Sequence, residues 1–292
     1  MRIPRLFSER HVGRLWLVLV YLFLYIPLFF LIVFSFNSTR QDSVFTGFSL
    51  RWYEALLSDS RLVDGFFLSL KVALVTGTLS VVLGSFAAFV LVRYLRFSGR
   101  TLFYGLVNAP LVMPEVIIGL SLLLLMVAVQ RTVGWPDRGF ITTLTDHTLL
   151  GMAYATVVIQ SRLSEMNRSI EEAAMDLGCR PMQVFFLVTL PNIAPAMLSA
   201  WLLTFTLSFD DVVISEFLSG PGVTTLPQVI FSYARRGVNP SIYAAATLLI
   251  AVVSLGIIAY SLFMVHRQRR LDREINAALS QEQVGASPAE AR

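Results

Sequence analysis

Glu171-Glu172-Ala173-Ala174-Met175-Asp176-Leu177-Gly178 is the stretch that decides what kind of chain this is. It is charged and alanine-rich, and it lies between two apolar segments long enough to cross a membrane. Just before and into it, Ser169-Ile170-Glu171-Glu172 matches a capping box, in which Ser169 caps a helix and Glu172 reaches back to the Ser169 amide. Ile170, Ala173, Ala174 and Leu177 follow i, i+3, i+4, i+7 spacing and give one narrow apolar face. Gly178 stands where a left-handed helix stop is wanted, and Pro181 follows soon after. A short helix over 169–177 is expected, fixed at both ends by its own sequence. Its mostly alanine face lets another backbone approach closely, as helix-in-groove recognition requires. A plain connector between spans fits the same pattern.

Outward from this segment the chain is apolar. It has 292 residues, is 55% hydrophobic, and has only 14% charged residues and a mean hydropathy of +0.69. Soluble domains carry about 25% charged residues, so composition alone places the chain in the membrane class. Six runs approach or exceed the roughly 20 residues needed to cross a bilayer: 15–36, 69–92, 102–130, 144–163, 192–217 and 242–264. Each is expected to be a helix, because unpaired backbone groups are too costly in lipid. The expected fold is therefore all-α and polytopic. Its parts are an N-terminal arm (1–14), an anchor helix (15–36), a five-helix core (69–264) and a partly disordered tail (265–292), the disorder starting after Ala277.

Charge gives the orientation. Arg2, Arg5, Arg10 and Arg14 precede the first span, and Arg93, Arg96 and Arg100 follow the second. Arg162, Arg168 and Arg180 follow the fourth, and Arg267, Arg269, Arg270 and Arg273 follow the sixth. The alternate loops are longer and hold only Arg40, Arg51, Arg61, Arg131, Arg138, Arg235 and Arg236. By the positive-inside rule both termini are cytoplasmic. The pI near 9.5 then reports topology and contact with anionic lipid, not nucleic acid. The first span is longer than the apolar core of a signal peptide and no small-x-small cleavage site follows Ser35, so it reads as a retained anchor. The single cysteine, Cys179, excludes an internal disulfide.

Two outer segments carry local signals. Trp52, Tyr53, Leu56 and Leu57 share one side of a short helix, either lying at the membrane interface or an ordinary surface helix. Ser219-Gly220-Pro221-Gly222 is a strong turn signal, and Val238-Asn239-Pro240 ends the second segment.

Glu172-Ala173-Ala174-x-x-x-Gly178, followed by Val188-Thr189-Leu190-Pro191, resembles the EAA motif of ABC-importer permeases, with valine at one position where the pattern has isoleucine. Further stretches resemble the spermidine/putrescine permeases: Ala109 to Glu115, Phe205 to Ser215, and Ser219 to Pro227 running on to Arg236-Gly237-Val238-Asn239-Pro240. Thr224 to Pro227 and Gly237 to Pro240 look most like the putrescine-system member. The resemblance implies the type I ABC importer permease fold in a bacterial inner membrane. It assigns ATPase coupling to Ser169, Glu172, Ala173, Ala174, Gly178 and Pro191. It implies as partners two copies of an ATP-binding subunit that holds ATP and Mg2+, a second homologous permease, and a periplasmic polyamine-binding protein. This chain then supplies path and lever for alternating access, and no chemistry of its own.

The residues agree with that division of labour. A Walker A motif needs Gly-Lys-Ser/Thr, and the only lysine, Lys71, lies between Leu70 and Val72. His11, His147 and His266 are expected to be solvated or interfacial. Glu115, Asp210 and Asp211 fall within apolar stretches, where a carboxylate costs several kcal/mol unless it faces a cavity or a partner. They are candidates for a cation path, or for structural roles such as pairing with arginine or capping helices broken near Pro110 and Pro114. Glu216 is expected to be solvated. Importers of iron or thiamine are near alternatives; sulfate is disfavoured by the intramembrane acids. An ion-coupled secondary transporter would also hold such acids but needs no capped cytoplasmic helix. A structural subunit of a membrane enzyme would be expected to bring cofactor ligands, which the sequence does not offer.

Overall fold

The computed structural model describes residues 9–39, 44–236 and 240–285, and among them every regular element is helical. The chain divides into two compact units, Met1–Leu56 with Val238–Arg292, and Leu57–Gly237.

In the first unit α1 (Glu9–Ser35) packs along α12 (Pro240–Gly285). From Val12 to Phe30 α1 buries no residue, as suits a helix surface facing lipid, while its last turn is half-buried and Ser35 fully so. The loop after it is closed by side chains. Asn37 Oδ1 accepts the Thr46 amide at 2.9 Å while Asn37 Nδ2 donates to Val44 O at 2.9 Å. Trp52, at the start of α2 (Arg51–Ser58), is buried and donates to Asn37 O at 2.7 Å; Tyr53 Oη sits 2.8 Å from Ser35 Oγ. The apolar side of α2 is thus bound to the loop by its Trp and Tyr, with Leu57 left exposed. The tail expected to lose structure after Ala277 continues α12 to Gly285, while Gly237 to Asn239 lie outside the described residues.

The second unit is built on α3 (Ser60–Arg93), α6 (Phe140–Glu165) and α9 (Leu190–Asp210), which share a core of Val81, Ala88, Ala155, Ile159, Leu163, Ile193 and Ala200. Lipid provides little hydrophobic drive between helices, so their approach rests on small residues. Gly84 shows the tightness: a Cβ there would come within 2.7 Å of Ala155 Cβ and 2.9 Å of the Thr156 amide. Among the described residues five segments are long and apolar enough to cross a membrane: 12–35, 60–93, 115–133, 181–210 and 240–268. α6 is not among them. Thr142, Thr143, Asp146, His147 and Thr148 near its start are polar, yet all are buried, because α3, α4 (Arg100–Val112), α9 and α10 (Val213–Leu218) pack around it.

Two of the expected spans are interrupted. The run 102–130 is split into α4 and α5 (Glu115–Val133), because Pro114 forces Met113 into extended backbone (φ −80°, ψ 139°). The run 192–217 starts earlier. It passes from α8 (Pro181–Val184) through a π-helical turn (Phe185–Thr189) into α9, then breaks at Asp211 (ψ 128°) before α10. The π register ends next to Pro191, which has no N–H for an ordinary helical bond. Between α6 and α8 lies α7 (Arg168–Asp176); beyond α10 lies α11 (Leu226–Arg235). α11 is held to α3 by Ser69 Oγ accepting the Leu226 amide (2.8 Å) and by Tyr233 Oη donating to Asp59 Oδ2 (2.8 Å). Partial burial and the Asp59 carboxylate together raise the Tyr233 pKa above its ordinary value.

Candidate functional site: a carboxylate cleft and a self-capped helix

The break between α9 and α10 and the start of α5 open onto one cleft of about 240 Å³. Glu115 and the adjacent pair Asp210 and Asp211, far from it in sequence, all line it, together with His147 and Ser208. Their circumstances differ. Asp211 is committed. Its Oδ2 accepts the Ser215 amide at 2.8 Å and lies 3.2 Å from His147 Nε2, and its Oδ1 accepts the Ile214 amide at 3.3 Å. It therefore satisfies the free N–H groups at the start of α10, as an N-terminal carboxylate does. Asp210 and Glu115 are exposed in the cleft and have no ion pair among the described residues. Glu115 occupies the first turn of α5, one residue past the Pro114 break.

His147 corrects the expectation that it is solvated or interfacial. It is buried, with Nδ1 2.7 Å from Ser208 Oγ and Nε2 3.1 Å from Ser215 Oγ, so it joins α6, α9 and α10 behind the cleft. A proton on Nε2 satisfies all three neighbours: Nε2–H faces the Asp211 carboxylate and Nδ1 accepts from Ser208. Asp146, beside it, is 1% exposed, and neither of its carboxylate oxygens has a hydrogen-bond partner. An acid inside the apolar run 144–163 was the signal for it. Glu216 is exposed, as expected of a solvated residue, and also accepts from Gln228 Nε2 at 3.3 Å. Arg138, donating to Phe217 O (2.7 Å), and Thr142, donating to Leu218 O (3.0 Å), fasten the far end of α10. Among the described residues no His, Cys, Asp and Glu cluster could hold a metal ion.

At the other end of α6 stands α7. It starts one residue earlier than expected, and its cap is Asn167, whose Oδ1 accepts the Ser169 amide at 3.0 Å. Ser169 is therefore inside the first turn and does not cap it; Asn167 takes that place because its backbone is extended (φ −66°, ψ 121°), which turns its side-chain oxygen toward the free N–H groups. Gly178 is left-handed (φ +91°), the Gly178 amide donates to Met175 O (2.9 Å), and the Cys179 amide donates to Ala174 O (3.1 Å). Those two bonds are the Schellman stop. No residue of α7 is buried: Ile170, Met175 and Leu177 are exposed, as are Ala173 and Glu172, and Ala174 is half-buried. Met182, Phe186 and Leu187 extend this apolar surface along α8 and the π turn. Sequence reasoning passed over Glu171, which points inward and accepts from Arg93 (2.8 Å) and Thr189 (2.7 Å).

A helical membrane bundle with a polar cleft at broken helices, and an unpartnered apolar helix at the far end of its central helix, defines a transport permease. The chain belongs to the family of binding-protein-dependent transport system inner membrane components, which matches residues 80–273. It is 51% identical over 264 residues to the putrescine transport system permease protein PotI of Escherichia coli (strain K12), covering 90% of this chain and 94% of that one. It is 36% identical over 254 residues to the spermidine/putrescine transport system permease protein PotC of Haemophilus influenzae, covering 87% and 96%. The fold is similar to that in the crystal structure of a bacterial ABC transporter for the acidic polysaccharide alginate (TM-score 0.68, 15% identity, 88% and 94% covered). It is also similar to that of the methionine ABC transporter MetNI in an inward-facing form (TM-score 0.56, 19% identity, 68% and 92% covered).

Proposed function

We propose that this chain is the permease subunit of an ATP-driven importer of small polyamines, with putrescine the foremost substrate. The observation that carries the reading is the 51% identity, over nearly the whole chain, to a permease named for putrescine transport. The cleft supports it. Glu115 and Asp210, two carboxylates with no ion pair among the described residues, lower the cost of stripping water from an organic dication at a low-dielectric site. In this reading α7 enters a groove of a separate ATP-binding subunit, present in two copies and holding ATP and Mg2+. A second, homologous permease completes the path, and a periplasmic binding protein delivers the substrate. Both termini and α7 are cytoplasmic. ATP binding closes the ATPases, α7 passes the motion to the bundle, and the cleft opens outward; hydrolysis resets it. Glu172, Ala173, Ala174 and Gly178 form or shape the docking face, and Pro191 sets the start of α9.

Reconstitution in vesicles with those partners tests the reading. Labelled putrescine is expected to accumulate only with ATP and the binding protein. Accumulation driven by an ion gradient without ATP would remove the importer assignment, and ATP-driven uptake of another solute with none of putrescine would remove the substrate. A reporter active only in the periplasm, fused after Asp137 or Gly222, is expected to work, and after Phe97, Cys179 or Arg273 to fail.

A further inference from the structure

α7 buries no residue of its own, so packing cannot hold it in one orientation against the bundle. It rests on α8 and the π turn. Among the described residues its polar tie to the long helices is Glu171. A single oxygen, Oε1, accepts from Arg93 Nη2 at the last turn of α3 (2.8 Å) and from Thr189 Oγ1 at the end of the π turn (2.7 Å). The three groups are enclosed: the Arg93 and Glu171 side chains are 9% and 12% exposed, and Thr189 is 1% exposed. A partly buried ion pair contributes little net stability, because desolvation offsets the attraction. What it does supply is a fixed geometry between the parts it joins. Here those parts are α7, the inner end of α3 and the entry to α9, and α3 and α9 are core helices that continue to the cleft end of the unit.

We infer that Arg93, Glu171 and Thr189 form a strut that converts displacement of α7 into displacement of α3 and α9, with Glu171 as its positioning residue. The inference rests on α7 being the segment that meets the ATPase. Breaking the strut leaves the exposed docking face intact, so the ATPase still binds and hydrolyses ATP, but less of its motion reaches the cleft. The quantity that reports this is substrate moved per ATP hydrolysed, which a defect of docking alone would not lower.

The test uses the complete reconstituted importer and measures ATPase co-purification, binding-protein-stimulated ATP hydrolysis and putrescine uptake. Glu171→Gln, which keeps the shape and an acceptor oxygen but removes the charge, is expected to lower uptake per ATP about tenfold, with ATPase co-purification retained. Thr189→Val is expected to lower it less, and the exchange Arg93→Glu with Glu171→Arg to restore part of it. A normal ratio in Glu171→Gln overturns the strut, as does a proportional fall of uptake and hydrolysis. If Glu171→Gln reduces the amount of complex, Thr189→Val decides by the same ratio. Gly178→Val is run alongside: its loss of co-purification shows that α7 docks at all, so retention there defeats the docking reading, whereas an unchanged ratio in Glu171→Gln defeats the strut alone.

Discussion

The two ends of α6 are built on opposite principles. At one end α7 is a local object: its start, stop and apolar face are all written within the stretch from Asn167 to Cys179. At the other end the cleft is assembled from four helices and two breaks, with side chains from positions 115, 147, 210 and 211. The first exposes apolar surface, while the second satisfies Asp211, His147 and Ser208 internally. A local device can be damaged at one residue without disturbing the bundle. A non-local one cannot, and damage to its scaffold and damage to its function must be separated by measurement.

The sharpest way to break this contrast is Gly178→Val. Nothing lies within 4 Å of a Cβ at this position, so the substitution acts through backbone alone. A β-branched residue does not comfortably adopt the left-handed conformation that the stop requires. Uptake and ATPase co-purification are expected to fall about tenfold or more, with insertion in the membrane unchanged, while Gly178→Asn keeps most of both because asparagine tolerates that region. Equal loss in both variants would show that a glycine is needed there for space and not for φ.

Asp211→Asn probes the scaffold of the cleft. The amide keeps one acceptor oxygen but gives up the charge that faces His147 and the N-terminus of α10. The expected outcome is a reduced amount of assembled complex, through a loss of about 2–3 kcal/mol of local stability, with uptake per remaining complex near normal. His147→Ala should act in the same way, since it removes a hydrogen-bond partner from Ser208, Ser215 and Asp211. Wild-type amounts of complex in both variants would show that the α9–α10 break does not depend on this network.

Asp210→Asn should do the reverse. Its side chain stands in the cleft without an ion pair, so assembly is expected to be normal and uptake per complex to fall several-fold. Glu115→Gln should act in the same direction and add to it. Full uptake per complex in the double variant would show that neither acid handles the cation.

How far the sequence disclosed these two ends follows from the same contrast. The helix at 169–177, its glycine stop and its apolar face could be foreseen, because every bond that makes them spans at most five residues. Even so the cap was misplaced, since Asn167 and Ser169 are both good caps and only backbone geometry chooses between them. The acids Glu115, Asp210 and Asp211 stood out because charge in an apolar run is conspicuous, but their division into free and committed groups depends on where α6 places His147. His147 itself carried no local signal. Its burial comes from Ser208 and Ser215, more than sixty residues away. Glu171 shows the converse error: it sat in the most conspicuous stretch of the chain, yet its inward role depends on Arg93, which the sequence had already explained as a topological charge. The breaks at Pro114 and Asp211 were hidden because hydropathy sums over a run and does not register its interruption.

The smallest expected effect tests whether α7 is really self-determined. Asn167→Ala removes the side-chain acceptor of the Ser169 amide, and Asn167 itself is exposed. A lost cap costs about 1 kcal/mol, but Ser169 lies two residues further on and can cap a helix shortened by those two residues. Uptake is therefore expected to fall less than twofold in Asn167→Ala, and more in the double variant Asn167→Ala with Ser169→Ala, where no cap remains. Hydrogen exchange at the amides of the first turn should follow the same order, with faster exchange confined to that turn and the Gly178 stop unaffected. If the single variant already loses as much uptake as Gly178→Val, the start of α7 matters through a contact with the ATPase and not through helix formation, and the two ends of α6 differ less than their construction suggests.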